Sequence, residues 1–267
     1  MWLDRGSSER DSGFGGLGWG ADERAPDPGT PGRALRPEPP ALVDAGHAGT
    51  LCAGGEALFR ATEQALQWAW RLLRLTRGGA EAGSLAAVAR SATREFLDRI
   101  PPHVRRGVAE LLAYSTLWQA VCTRLGRPVA RTHEELMREL SGDLQLLLRG
   151  AQARLGTASA LEQGLLVHLG RLREARSLEP GAPLELKAAV DAFTHAVTAL
   201  RAAASAYRRA WEATGAELAE SAAWLEAGDP GFCAWLVEHL SGTVAAWQKA
   251  HASVRVFTEL GALAGQP

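Results

Sequence analysis

Residues 184–225 read LELKAAVDAFTHAVTALRAAASAYRRAWEATGAELAESAAWL, and the spacing within this stretch decides the fold. Leu186, Phe193, Leu200, Tyr207 and Thr214 recur every seventh residue. Val190, Val197, Ala204, Trp211, Leu218 and Leu225 form a second row, offset by four and then three. Alternating steps of four and three give a mean period of 3.5, the seam of a supercoiled helix. At 1.5 Å per residue such a helix is about 60 Å long. Its apolar face must be buried against neighbours of similar length.

The segment before this helix supplies one neighbour. Thr132 followed by Glu135 has the spacing of a capping box and opens a helix to about Arg176. One row there is Met137, Leu144, Ala151, Ala158, Leu165 and Leu172. The other is Leu140, Leu147, Arg154, Leu161, His168 and Ala175, so two polar residues interrupt an apolar seam. Residues 178–183, rich in Pro and Gly, form a tight turn, which makes the two helices an antiparallel hairpin. Pairing outward from that turn brings His168 near Asp191 and His195, and Arg154 near Tyr207. Arg154, His168, Asp191 and His195 are therefore the expected buried polar cluster.

The same period runs through the rest of the chain. Gly228-Asp229-Pro230-Gly231 ends the central helix, and Cys233, Leu236, Leu240, Thr243, Trp247, Ala250, Val254 and Phe257 mark a last one. Upstream, Ser84 caps a segment running through Leu85, Val88, Ala92, Phe96 and Ile100 to Pro101-Pro102. Two missing backbone donors require a kink or an end there. The pattern resumes through Val104, Val108, Leu111, Ser115, Trp118, Cys122 and Leu125. Before it, Leu58, Ala61, Ala65, Trp68, Leu72 and Leu75 suggest an amphipathic helix over 51–79, edged by Arg71 and Arg74. Residues 1–50, dense in Gly and Pro, read as a disordered tail, since they bury too little apolar surface to offset their ordering entropy.

Composition excludes several classes. The 267 residues carry a formal charge of -1, so there is no global basic field for nucleic acid. Three isolated cysteines give neither a disulfide framework nor a zinc spacing, which suits a cytoplasmic setting. No 18-residue apolar run marks a membrane span. His133-Glu134-Glu135-Leu136-Met137 opens like a zinc-protease helix but lacks the second histidine four residues on. No nucleophile accompanies His168, Asp191 and His195. The expectation is thus of no enzyme, no cofactor and no metal.

The expected architecture is all-α: an elongated, antiparallel, up-and-down bundle over 80–263 with heptad packing, and with the 51–79 helix along one side. The leading functional expectation is a non-enzymatic adaptor or scaffold that meets other proteins, or a second copy of itself, through helix–helix contacts. Trp68, Trp70, Arg71, Arg74, Arg171, Arg173, Arg176, Trp224 and Trp235 are its candidate surface. A second expectation uses the same residues on an anionic membrane surface. Long helices, a proline pair and a preceding amphipathic segment resemble BAR modules in architecture, which implies a dimeric peripheral membrane binder. A third is a bundle with an internal ligand pocket lined by the polar cluster.

Overall fold

The computed structural model describes residues 45–78, 84–125, 127, 130–177, 181–228 and 230–264, all within one compact unit, Pro39–Pro267. Most of the expected 1–50 tail lies outside the described residues, but its last six are helical. Five helices follow in order: α1 (Ala45–Leu75), α2 (Leu85–Leu125), α3 (His133–Ser177), α4 (Leu184–Glu226) and α5 (Pro230–Ala264). The described residues contain no strand.

Helix α4 is unbroken, and every residue of its two seven-residue rows, from Leu186 to Leu225, is buried. Its C-terminus is set locally: Gly228 takes a φ of 73° and its N–H donates to the Leu225 carbonyl at 3.0 Å. That left-handed conformation is the one glycine adopts without steric cost. At the start of α3, the Thr132 N–H donates to Glu135 Oε2 at 2.9 Å. The Glu135 N–H donates to Thr132 Oγ1 at 3.2 Å, completing the reciprocal cap. These bonds hold the Glu135 carboxyl below its ordinary pKa. Ser84 Oγ accepts from the Ala87 N–H at 3.2 Å and caps α2.

Contacts between helices fix their directions. Arg176 meets Asp191, His168 meets Phe193, and Glu162 meets Arg208, so α3 and α4 run oppositely. Arg171 with Glu95, Arg154 with the Glu110 carbonyl, and Arg124 with Asp143 establish the same for α2 and α3. Helix α1 lies along α4 and α2, so α1 to α4 enclose a common core. Rings from α2 and α4 meet across it: Phe96 with Phe193, and Tyr114 with Trp211, at centroid distances of 5.2 and 5.0 Å.

Two expectations need correction here. The first helix is not an accessory along one side. It is a bundle member: Leu58, Ala65 and Leu72 face inward as expected, but the companion row is shifted by one residue from Ala61, Trp68 and Leu75. Ala48, Thr62, Ala69 and Thr76 are buried with Leu51, Leu58, Ala65 and Leu72, whereas Trp68 is half-buried and Leu75 exposed. The cause is close approach. A Cβ on Gly54 would lie 3.2 Å from Tyr207 Cδ2, and one on Gly55 would lie 3.1 Å from Leu111 Cδ2. Small side chains let α1 press onto α2 and α4, and a Trp in that row would hold them apart. The Thr62 and Thr76 hydroxyls donate to the carbonyls of Leu58 and Leu72, so they are buried without an unmet donor.

The second correction concerns α5. A tight turn joins it to α4, yet the two make little contact beyond the turn, where Trp224 faces Phe232. Helix α5 lies instead on α2 and α1. Trp247 stacks on Trp118 at 5.2 Å, and the Gln119 side chain donates to the Trp247 carbonyl at 3.4 Å. A short loop fixes where a helix starts, not which face it buries. Pro101-Pro102 lies inside α2, which continues to Leu125 as one segment, the alternative to an end at the proline pair. The pair withdraws the N–H groups that the Leu97 and Asp98 carbonyls would accept from. Apolar burial on both sides of it, at Phe96, Ile100, Val104 and Val108, holds the helix together.

Candidate functional site

Arg154 and His168 both occupy the inward row of α3 and face different surroundings. The Arg154 guanidinium donates through Nε to the Glu110 carbonyl at 2.8 Å and through Nη1 to the Gly150 carbonyl at 2.7 Å. It lies 5.0 Å above the Tyr114 ring and 6.0 Å from that of Trp211. Both ring faces attract the cation. Burial pulls its pKa down, and the Glu110 carboxylate and the Tyr114 and Tyr207 hydroxyls pull it back. Gly150 makes room for this arrangement, because a Cβ there would sit 3.1 Å from Tyr114 Cε2. The Tyr114 hydroxyl donates to the Leu147 carbonyl, and the Tyr207 hydroxyl to that of Gly107.

His168 lies two heptads further along α3 and is 4 % exposed. Its ring packs against Phe96 and Phe193, with centroids 5.4 and 6.0 Å away. Nε2 is buried without a hydrogen-bond partner. Burial alone lowers its pKa to about 4, so the ring is neutral at physiological pH. The expected four-residue cluster does not assemble. Asp191 pairs instead with Arg176 at 2.9 Å, outside the core, and His195 is exposed. Both follow from helix geometry, since Asp191 and His195 flank the buried row rather than lie in it.

A cleft of about 240 Å³ opens between α2 and α3 beside His168. Ile100, Leu161, Gly164 and Val167 line it with His103 and His168. At its mouth Arg99 Nη1 approaches Glu95 Oε1 at 3.1 Å, and Arg171 pairs with the other oxygen of the same carboxylate. Val167 is 60 % exposed at its edge.

Sequence reading missed one pairing of catalytic appearance. Ser115 Oγ lies 3.0 Å from His251 Nδ1, a contact between α2 and α5. Ser115 is fully buried and its hydroxyl donates to the Leu112 carbonyl at 2.7 Å. Its proton is committed to a helix carbonyl and no substrate reaches it, so the pair fastens two helices rather than forming a nucleophile and base. The two residues are far apart in sequence, and only the position of α5 brings them together. The Cys52 thiol donates to the Ala250 carbonyl and that of Cys122 lies beside the Thr243 hydroxyl, and burial pushes both up, Cys52 to about 11. Neither is a thiolate nucleophile at neutral pH. Among the described residues, no group of three His, Cys, Asp or Glu is placed to hold a metal ion.

The surface candidates fall into three places. On α1, Trp70 is 54 % exposed, and the Arg71 guanidinium lies 5.1 Å from the Trp68 ring centroid, with Arg74 exposed nearby. On α3, Arg171 and Arg176 are held in the ion pairs above, and Arg173 is exposed. Where α4 gives way to α5, Trp224 of α4 and Phe232, Trp235 and His239 of α5 form a ladder of rings, with successive centroids 5.9, 5.6 and 3.9 Å apart. No described helix is long and apolar enough to cross a membrane. No family model, curated protein or solved structure matches this chain.

Proposed function

We propose that this chain is a non-enzymatic adaptor, an antiparallel bundle with heptad packing that works by presenting the outer side of α1 to another protein. One observation carries the reading. Helix α1 turns its small residues inward and leaves Trp68 half-buried and Trp70 and Leu75 exposed, beside Arg71 and Arg74. On the outer side Trp70 and Leu75 flank Arg74 and Arg71, a pattern that suits a partner helix with a central row of acids flanked by apolar side chains. The pairing of Arg176 with Asp191, and the sharing of Glu95 by Arg171 and Arg99, thin the basic surface that a membrane-facing reading would need.

A photo-crosslinking side chain in place of Trp70 in the full-length protein tests the reading in cells. The expected result is a discrete protein adduct, absent when the same group replaces the exposed Arg138 on α3. An adduct with a second copy makes the partner the chain itself. Recovery of lipid adducts alone, or of none, overturns the adaptor reading.

A further inference from the structure

The cleft between α2 and α3 has the makings of a ligand site that is independent of the outer side of α1. Its walls are apolar: Ile100 and Leu161 are buried, and the neutral His168 ring backs onto Phe96 and Phe193. Space arises because α3 carries no side chain at Gly164, where a Cβ would sit 3.7 Å from Ile100 Cδ1. At about 240 Å³ it falls below the roughly 300–1,000 Å³ of pockets for drug-sized ligands. A compact ligand is therefore the one that fits.

The mouth specifies charge. Arg99 from α2 and Arg171 from α3 approach different oxygens of one carboxylate, that of Glu95. Two guanidinium groups from separate helices converge on a single carboxylate, the group that paired arginines recognise. Each guanidinium has five N–H donors, so donors remain after Glu95 is satisfied. Both arginines are well exposed, with side chains 71 % and 50 % accessible, and can reorient toward an incoming anion. Two arginines against one glutamate leave a net positive charge at the rim.

We propose that this cleft binds a small monocarboxylate with a compact apolar body, its carboxylate taken by Arg99 and Arg171 and its body against Ile100, Leu161 and Val167. Glu95 is then an internal competitor that occupies the clamp in the empty protein. Neutral analogues of the same shape bind more weakly, because they gain the apolar wall but not the guanidinium groups.

Titrating the full-length protein with hexanoate and benzoate, and with 1-hexanol and benzyl alcohol as neutral counterparts, tests the assignment. The His168 ring C–H resonances report occupancy, assigned by their loss in His168→Asn. The acids should shift them saturably, and the alcohols should bind roughly tenfold more weakly, the value of one charge-assisted hydrogen bond. Glu95→Gln should tighten binding of the acids alone by a similar factor, and Arg171→Gln should weaken it. Gly164→Leu should abolish the shift by filling the cleft. If that variant loses helicity, Ala160→Leu on the exposed rim makes the same test. Absence of saturation, equal affinity for acid and alcohol, or an acid affinity unchanged in both Glu95→Gln and Arg171→Gln overturns the proposal. So does a shift that survives in a folded cleft-filled variant.

Discussion

Arg154 and His168 occupy equivalent positions in the same helical row, and the bundle treats them in opposite ways. Around Arg154 it supplies two carbonyl acceptors and ring faces, so a permanent cation sits beside the aromatic centre. Around His168 it supplies only rings and aliphatic walls, and the imidazole answers by giving up its charge. A guanidinium cannot shed its proton in a protein and must be given partners; an imidazole can, and need not be. A polar interruption in an apolar seam therefore has no fixed meaning, because its consequence depends on whether the group can become neutral.

The largest expected effect separates the two sites by truncation. Arg154→Ala should cost roughly 3 kcal/mol or more in chemical denaturation, since it removes the stem packed beside Tyr114 and Trp211 and empties its volume. Arg154→Met restores the stem without the donors. Recovery of most of the loss in that variant would show that packing, not charge, holds the site.

The His168 side of the comparison is read by pH. The unfolded chain takes up its proton near the ordinary value of 6.5, whereas the folded protein resists until about 4. The stabilisation is complete above 6.5 and drains away as pH falls toward 4, by up to about 3 kcal/mol. Melting temperatures followed across that window should fall in the native protein and lose this component in His168→Leu. At neutral pH the same variant should be as stable as the native chain or more so, by ~1 kcal/mol, because it removes an unmet nitrogen.

A smaller effect concerns the register of α1. Gly55→Leu should cost about 1–3 kcal/mol by overpacking against Leu111. Trp70→Ser on the outer side should stay within about 0.5 kcal/mol of the native chain. A reversed order of these two variants would mean that the large residues, not the small ones, face inward.

Much of the bundle was legible from spacing alone. The two rows of α4, the inward placement of Arg154 and His168, and the reciprocal cap at Thr132 and Glu135 all follow from local rules that need no knowledge of neighbours. What escaped was set between helices. In α1, side-chain size favoured the row containing Ala61, Trp68 and Leu75, while close approach to Tyr207 and Leu111 selected Thr62, Ala69 and Thr76. The place of α5 on α2 and α1 escaped because chain continuity was taken as adjacency. The Ser115–His251 contact escaped with it, since it depends on α5 meeting α2, whereas the cleft beside Gly164 depends on side-chain packing between α2 and α3 that spacing does not give. Asp191 and His195 were assigned inward on sequence distance from a turn, although each lies off the buried row.

The tight seating of the first helix has a practical consequence. Any shortened version that begins after residue 77, as if that segment were an appendage, strips the cover from Tyr207 and Leu111. Such a fragment would present a raw apolar trough to water and would be expected to clump or to borrow a substitute helix from whatever it met. Fragments meant to isolate a minimal folded unit should therefore keep Ala45 onward.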